Sequence, residues 1–382
     1  MNDHAKPLSK ILVLGDAMIP SRLFVDAVTE HLSEYIAEIE AEEWEPDWSS
    51  LQSRRLKVEA EGPEVEDLAT STESALAAEV LVGLFVPVSA KLMDTMPDLK
   101  LVGVSRAGLE NVNVDAATER GIVVFNVLGR NAEAVSDFTV GLMLAESRNI
   151  ARAHLSISEG KWRKEFSNSQ LIPQMKGKRI GLVGFGHVGQ LVAKKLAGFD
   201  VKILVHDPYA PDDALKRFQA DSVSLDQLFE SADFVTVHAR LSEDTRGLIG
   251  ERELRRMKST AYLVNTARAG LIDHDALERV LAEGAIAGAA LDVFPDEPLE
   301  ASSGLRQLDN VTLTTHIAGT TTEALTNSPQ LLLADIRRLF DGVEPAYIVN
   351  PNVLDHADTA KWLEAVRKAG PGTSSGSATS SI

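Results

Sequence analysis

Residues 178–196 read KRIGLVGFGHVGQLVAKKL, an apolar strand run that passes into a helical pattern through three glycines spaced GxGxxG. A bare GxGxxG says little, but between a strand and a helix each glycine has a mechanical reason. Gly184 permits the tight turn, Gly186 lets a pyrophosphate come up to the backbone, and Gly189 lets the helix pack against the strand. The helix start, at His187 and Val188, offers amide donors to the phosphates. After the next strand, KILVH, comes Asp207, eighteen residues beyond Gly189. A carboxylate there accepts hydrogen bonds from an adenosine ribose and repels a 2′-phosphate, so NAD is expected rather than NADP. The alternative, glycines kept for packing and Asp207 as a turn residue before Pro208, fits this context poorly.

The rest of the chain alternates in the same way. Short apolar runs at 179–183, 202–206, 234–238, 262–265, 288–293 and 312–315 are separated mostly by helical patterns, which predicts a doubly wound parallel sheet. A smaller α/β unit precedes it, with strands at 10–15, 80–86, 99–104 and 121–125 and a helix over 21–32. At 382 residues with 44% hydrophobic content, two cores are expected. A long helix is read over 132–155, a closing helix over 321–340, and a Gly/Ser-rich disordered end from about residue 370. Residues 41–70 are acidic and irregular, and are read as a solvated excursion.

Lys and Arg total 38 against 56 Asp and Glu, a formal charge of −18, which disfavours nucleic-acid backbones and anionic membrane surfaces as partners. With no cysteine, disulfides, thiolate metal sites and cysteine nucleophiles are excluded together, and no metal is expected. The N-terminal apolar run is too short for a signal sequence and no segment approaches a membrane span, so a soluble cytoplasmic protein is expected.

Three more segments end strands on the side of the sheet where open α/β folds gather ligands: VNTARAGLID with Arg268, ALDVFPDEP with Asp292 and Glu297, and TTHIAG with His316. Singly, each has a plain structural reading as a salt bridge, a loop carboxylate or a packing histidine. Together, behind a dinucleotide loop, they suit hydride transfer to a 2-keto carbon. The charge growing on the carbonyl oxygen needs a proton donor and a cation, which an imidazolium and a guanidinium supply.

With RAG at Arg106, Ala107 and Gly108, GFGHVG, HDPY, TRGLIG, VNTARAG, GAALDVFPDEP, TTHIAG and VNPNVL, residues 75–350 resemble the D-isomer-specific 2-hydroxyacid dehydrogenase family. The resemblance implies a Rossmann-type NAD domain over 126–320 and a smaller flavodoxin-like substrate domain over 1–125, completed by the C-terminal helix at 321–350. Residues 354–382 would be an extension. It further implies His316 as acid/base, Glu297 orienting and charging it, and Arg268 holding the substrate carboxylate and carbonyl. Asp292 would meet the nicotinamide amide, while His238, Thr266, Ala267 and Gly319 would join Gly184, Gly186, Gly189 and Asp207 along the cofactor. Arg106, Ala107 and Gly108 would contact a substrate drawn from the 2-hydroxy/2-keto acids as the cleft between the domains closes, and the chain would pair as a homodimer through the helix carrying Phe138, Val140, Leu142 and Leu144.

Some positions depart from the family pattern. Ala269 replaces a glycine, Thr315 replaces a proline, the loop after RAG is two residues shorter, and the strand from Leu81 lacks the Arg-Ser pair that phosphoglycerate enzymes use near the phosphate. The substrate is therefore left open between phosphoglycerate and another D-2-hydroxy acid. The chain also ends before a regulatory domain of the kind appended to longer phosphoglycerate enzymes, so direct serine feedback is not expected. A rival from another class is an NAD-sensing interaction protein of the same fold.

Overall fold

The computed structural model describes residues 6–66 and 73–370 and divides into two units, Met1–Arg130 with Thr322–Ile382, and Asn131–Thr321. Within the first unit, β1 (Leu8–Asp16), β2 (Ile36–Glu45), β3 (Val80–Gly83), β4 (Leu101–Val104) and β5 (Val123–Phe125) form a parallel sheet in the order β2-β1-β3-β4-β5, the flavodoxin-like arrangement. Successive side chains go to opposite faces. Ile11 and Val13 join one core cluster, Leu12 and Leu14 the other. Helices Ser21–Leu32 and Thr322–Phe340 cover the first cluster with Phe24, Val28, Leu332 and Ile336, so the chain returns after residue 321 to complete a core begun at residue 8.

One expectation for this unit needs correction. The acidic stretch is ordered as far as it is described: β2 pairs in parallel with β1, and Trp48–Glu61 is a helix whose first turn is capped by Asp47 accepting from Ser50 N–H at 2.8 Å. Its sequence, IAEIEAEEWE, alternates apolar and acidic residues as an edge strand with a bare side can, while Leu51 and Val58, two helical turns apart, supply the buried stripe of the helix. Residues 67–70 lie outside the described residues. Within the expected extension beyond residue 354, Ala357–Ala369 is a helix that sends Leu363 and Val366 into the first core. The predicted disordered end, from Pro371, lies outside the described residues.

The second unit holds β6 (Arg179–Val183), β7 (Lys202–His206), β8 (Ala220–Ser222), β9 (Phe234–Val237), β10 (Tyr262–Asn265), β11 (Gly288–Leu291) and β12 (Val311–Leu313), all parallel, in the order β12-β11-β10-β9-β6-β7-β8. The chain winds outward from β6 in both directions, the Rossmann arrangement, with its topological switch point between β6 and β9. The edge strand β8, three residues reading ADS, carries too little apolar pattern to be seen in sequence. The predicted long helix is two, Ala132–Ser147 and Ile150–Ser158, interrupted at Asn149, which takes a left-handed φ of 57°. Asparagine tolerates that conformation, and its buried amide is held by Asn168 Oδ1 at 2.7 Å. Among the described residues no helix is long and apolar enough to cross a membrane.

Candidate active site

At the switch point the glycine loop explains its own composition. Gly184 has φ 98°, and a Cβ there would lie 2.5 Å from Ala239 N and 2.7 Å from the His238 carbonyl carbon. A Cβ on Gly189 would meet the Gly184 carbonyl oxygen at 2.5 Å, whereas one on Gly186 would meet nothing within 4 Å. Two glycines are therefore required by packing, and the third leaves a bare, open backbone, which is what a close phosphate approach would need. Helix His187–Leu196 starts from Gly186 with no side-chain cap, so the first-turn amides, Val188 among them, are not taken by a capping side chain. Asp207 accepts from Phe185 N–H at 2.7 Å with Oδ2 and from Tyr209 N–H at 2.8 Å with Oδ1. It fixes the loop with both carboxylate oxygens. These residues fit NAD.

His238 directly follows β9, and its Nε2 pairs with Thr236 Oγ1 at 3.0 Å. Burial pushes its imidazole down to about 3, so it stands neutral near pH 7.

At the far side of the same sheet, β11 and β12 end in the segments that carry Asp292, Glu297 and His316. His316 Nδ1 lies 2.7 Å from Glu297 Oε2, and Glu297 Oε1 accepts Phe294 N–H at 3.0 Å. The histidine takes a left-handed φ of 54°, a conformation that costs an L-residue roughly 1–2 kcal/mol. Asp292 stabilises that shape. It is fully buried and accepts from Thr314 Oγ1 at 2.6 Å, Ile317 N–H at 3.1 Å and Ala318 N–H at 2.9 Å. Its observed work is thus to pin the loop around His316, a role the sequence reading did not assign.

Arg268 follows β10, where buried Asn265 organises the turn by accepting Ala267 N–H and donating to the Arg268 carbonyl, both at 3.0 Å. The Arg268 guanidinium is exposed and bonds only locally, to the Ala267 carbonyl at 2.9 Å. Thr266 is buried against Thr139, their hydroxyls 2.8 Å apart, and a Cβ on Gly319 would collide with the Asn131 side chain at 2.2 Å. The structure thus joins His316 to Glu297 directly and leaves Arg268 free of any ion pair among the described residues. Asn265 and Thr314 were missed in the sequence, although a polar residue at or just past the end of an apolar strand was the available signal. Arg106, Ala107 and Gly108 belong to the first unit, where the Arg106 and Ala107 carbonyls accept from Val127 N–H at 3.0 Å and Asn126 Nδ2 at 2.9 Å.

The family model for the NAD binding domain of D-isomer specific 2-hydroxyacid dehydrogenases matches residues 140–318. Glyoxylate reductase of Thermofilum pendens is 42% identical over 275 residues, 70% of this chain and 79% of that one. D-3-phosphoglycerate dehydrogenase of Archaeoglobus fulgidus is 36% identical over 272 residues, 71% of this chain and 51% of that protein, so this chain matches about half its length. An NAD-complexed D-isomer specific 2-hydroxyacid dehydrogenase of Lactobacillus delbrueckii ssp. bulgaricus shares the fold, with a TM-score of 0.70 at 24% identity over 89% of this chain and 100% of that one. With an open Gly186 backbone at the switch point and this level of relatedness, the chain belongs to the NAD-dependent D-isomer-specific 2-hydroxyacid dehydrogenases.

Proposed function

We propose that the enzyme interconverts a small 2-keto acid and its D-2-hydroxy acid, with His316 exchanging the proton at the C2 oxygen. The observation that carries this reading is the 2.7 Å bond from His316 Nδ1 to Glu297. With Nδ1 engaged by the carboxylate, Nε2 is the nitrogen left to give or take a proton, and the carboxylate steadies the charge of the protonated ring. NAD, when bound, supplies or accepts the hydride. Arg268, planar and without an ion pair among the described residues, is suited to grip the substrate carboxylate in a bidentate manner. The names of the relatives support glyoxylate or hydroxypyruvate as first candidates and phosphoglycerate as a second. The reading is tested by following NADH absorbance with glyoxylate, hydroxypyruvate, pyruvate and 3-phosphohydroxypyruvate. Turnover of none of them by protein that binds NADH would favour the NAD-sensing interaction protein.

A homodimer is part of the same proposal, though its support differs from the sequence argument. Leu142 is buried, and Phe138, Val140 and Leu144 are partly buried, against the chain's own second-unit core, so they leave less apolar surface than expected. Ile150, Leu155 and Ile157 on the following helix are 57%, 57% and 59% exposed, and Trp162 is 77% exposed. This run, within the second unit, is a better candidate to meet a second copy. Sedimentation at micromolar concentration would show a dimer, and Leu155→Asp should shift it toward monomer.

A further inference from the structure

Helix Ala132–Ser147 lies against one face of the second sheet, where Leu142 and Met143 pack with Ala290. Ala289, Leu291, Val311 and Leu313 belong to the cluster on the other face. Alternation therefore puts Gly288, Ala290 and Asp292 on the helix side, with Thr312 and Thr314 beside them. Glu146, 1% exposed near the end of the helix, enters this layer. Its Oε2 accepts the Thr312 hydroxyl at 2.6 Å, and a Cβ on Gly288 would lie 2.3 Å from its Oε1. One carboxylate thus lies against both β11 and β12, the strands whose following segments carry Asp292 and His316.

That carboxylate is itself held firmly. Arg152 Nη2 donates to Oε1 and Oε2 at 2.6 and 2.7 Å, and Arg152 Nη1 reaches the Glu146 carbonyl at 3.2 Å and Asn149 Oδ1 at 2.9 Å. Asn149 donates to Asn168, whose amide in turn reaches the Ser147 carbonyl at 3.1 Å and the Tyr262 hydroxyl at 2.8 Å. An ion pair this buried adds little net stability, since desolvation offsets most of its attraction. It does fix geometry. β12 is a three-residue strand at the sheet edge, paired to β11 from Ala289↔Val311 to Leu291↔Leu313, so few ladder bonds define its placement. Side chains supply the rest. Glu146 holds Thr312, and two residues on Thr314 donates to Asp292 at 2.6 Å. Asp292 also accepts the Ile317 and Ala318 amides, directly after His316.

We propose that Glu146 and Thr312 are positioning residues for His316: they set β12 against β11, and through Thr314 and Asp292 they place the left-handed turn on which the imidazole stands. The effect on chemistry rests on the proton-exchange reading of His316, whereas the positioning itself can be measured without turnover. Thr312→Val keeps the shape of the side chain and leaves Glu146 paired with Arg152, so the fold is retained; Thr312→Ser keeps the hydroxyl. In the full chain with NADH bound, Thr312→Val should speed amide exchange at residues 314–318 about tenfold while β6 and β7 exchange as in wild type. It should lower kcat about three- to thirty-fold with KM and NADH affinity near wild type, the pattern of a displaced reacting group rather than lost binding. Thr312→Ser should restore both. Glu146→Gln combined with Thr312→Val should add little to Glu146→Gln alone, because both remove one bond; where the Glu146 variant does not fold, the two Thr312 variants decide. Exchange at 314–318 and kcat both unchanged in Thr312→Val would overturn the proposal. So would faster exchange spread over the whole second sheet, or a loss that Thr312→Ser shares in full. Faster exchange confined to 314–318 in a protein that turns over no 2-keto acid would instead keep the positioning role and overturn the functional reading.

Discussion

Glu297 holds His316 with one oxygen and its own loop with the other: Oε2 lies 2.7 Å from His316 Nδ1, while Oε1 accepts Phe294 N–H at 3.0 Å. The carboxylate therefore acts as a bracket between the segments after β11 and β12, and a change at either partner should be felt in the chemistry before the fold.

Replacing His316 by Gln keeps a polar side chain but removes the exchangeable ring proton. Turnover should fall on the order of 10²- to 10⁴-fold, the usual contribution of a positioned acid/base, with NADH affinity and melting temperature close to wild type. Glu297→Gln keeps an oxygen for Phe294 N–H but loses the charge, so its loss should be smaller. The double variant should be little worse than His316→Gln alone, because both act through one proton. Full addition of the two effects would separate Glu297 from the histidine.

Asp292 supports a different measurement. An Asn there cannot accept on both ends of its side chain, so the buried Ala318 N–H or the part-buried Ile317 N–H loses its acceptor, at a cost of roughly 1–3 kcal/mol for the buried one. Asp292→Asn should speed amide exchange at residues 314–318 by about tenfold or more and lower kcat. Exchange unchanged in that loop would mean that the left-handed turn at His316 has another support.

Cofactor choice should follow Asp207. Its removal takes away ribose acceptors and the anchor of Phe185 N–H together, so Asp207→Ala should weaken NAD by about 1–3 kcal/mol, with NADP losing less. Fluorescence titration of both cofactors gives the comparison, and an unaltered NAD affinity would take Asp207 out of the site.

Much of this was legible because the chemistry is local. The glycine loop, the run to Asp207 and the strand-end position of His316 all sit within continuous stretches of chain, and buried parallel strands show themselves as apolar runs. What sequence hid was tertiary. IAEIEAEEWE carries too many carboxylates to look like a strand until β1 provides its hydrogen-bond partner, and the helix break at Asn149 depends on Asn168, nineteen residues away. Asp292's three donors, Thr314, Ile317 and Ala318, likewise join segments that no spacing rule connects.

The first unit should also carry a pH signature from Asp16. This residue, 2% exposed at the end of β1, has its carboxyl raised to about 6 by burial, against the opposing pull of the Ile19, Met18 and Phe85 amides. The folded chain then holds a proton that the unfolded chain, with an ordinary aspartate near 3.8, has released. Between pH 4 and 6 the native state binds more protons, so stability falls as pH rises through that window, by at most about 3 kcal/mol for a shift of roughly two units. Asp16→Asn does not titrate, and its lost acceptor for Phe85 N–H is a constant offset. His238, pushed the other way by burial, titrates in both proteins and cancels in the difference. Three of the four tryptophans, Trp44, Trp48 and Trp362, lie in the first unit, so urea unfolding followed by tryptophan fluorescence reports mainly on it. The stability of wild type relative to Asp16→Asn should be greatest near pH 4, decline to a plateau above pH 6, and stay flat thereafter. A difference that is level across the whole range would mean that Asp16 keeps an ordinary carboxylate despite its burial.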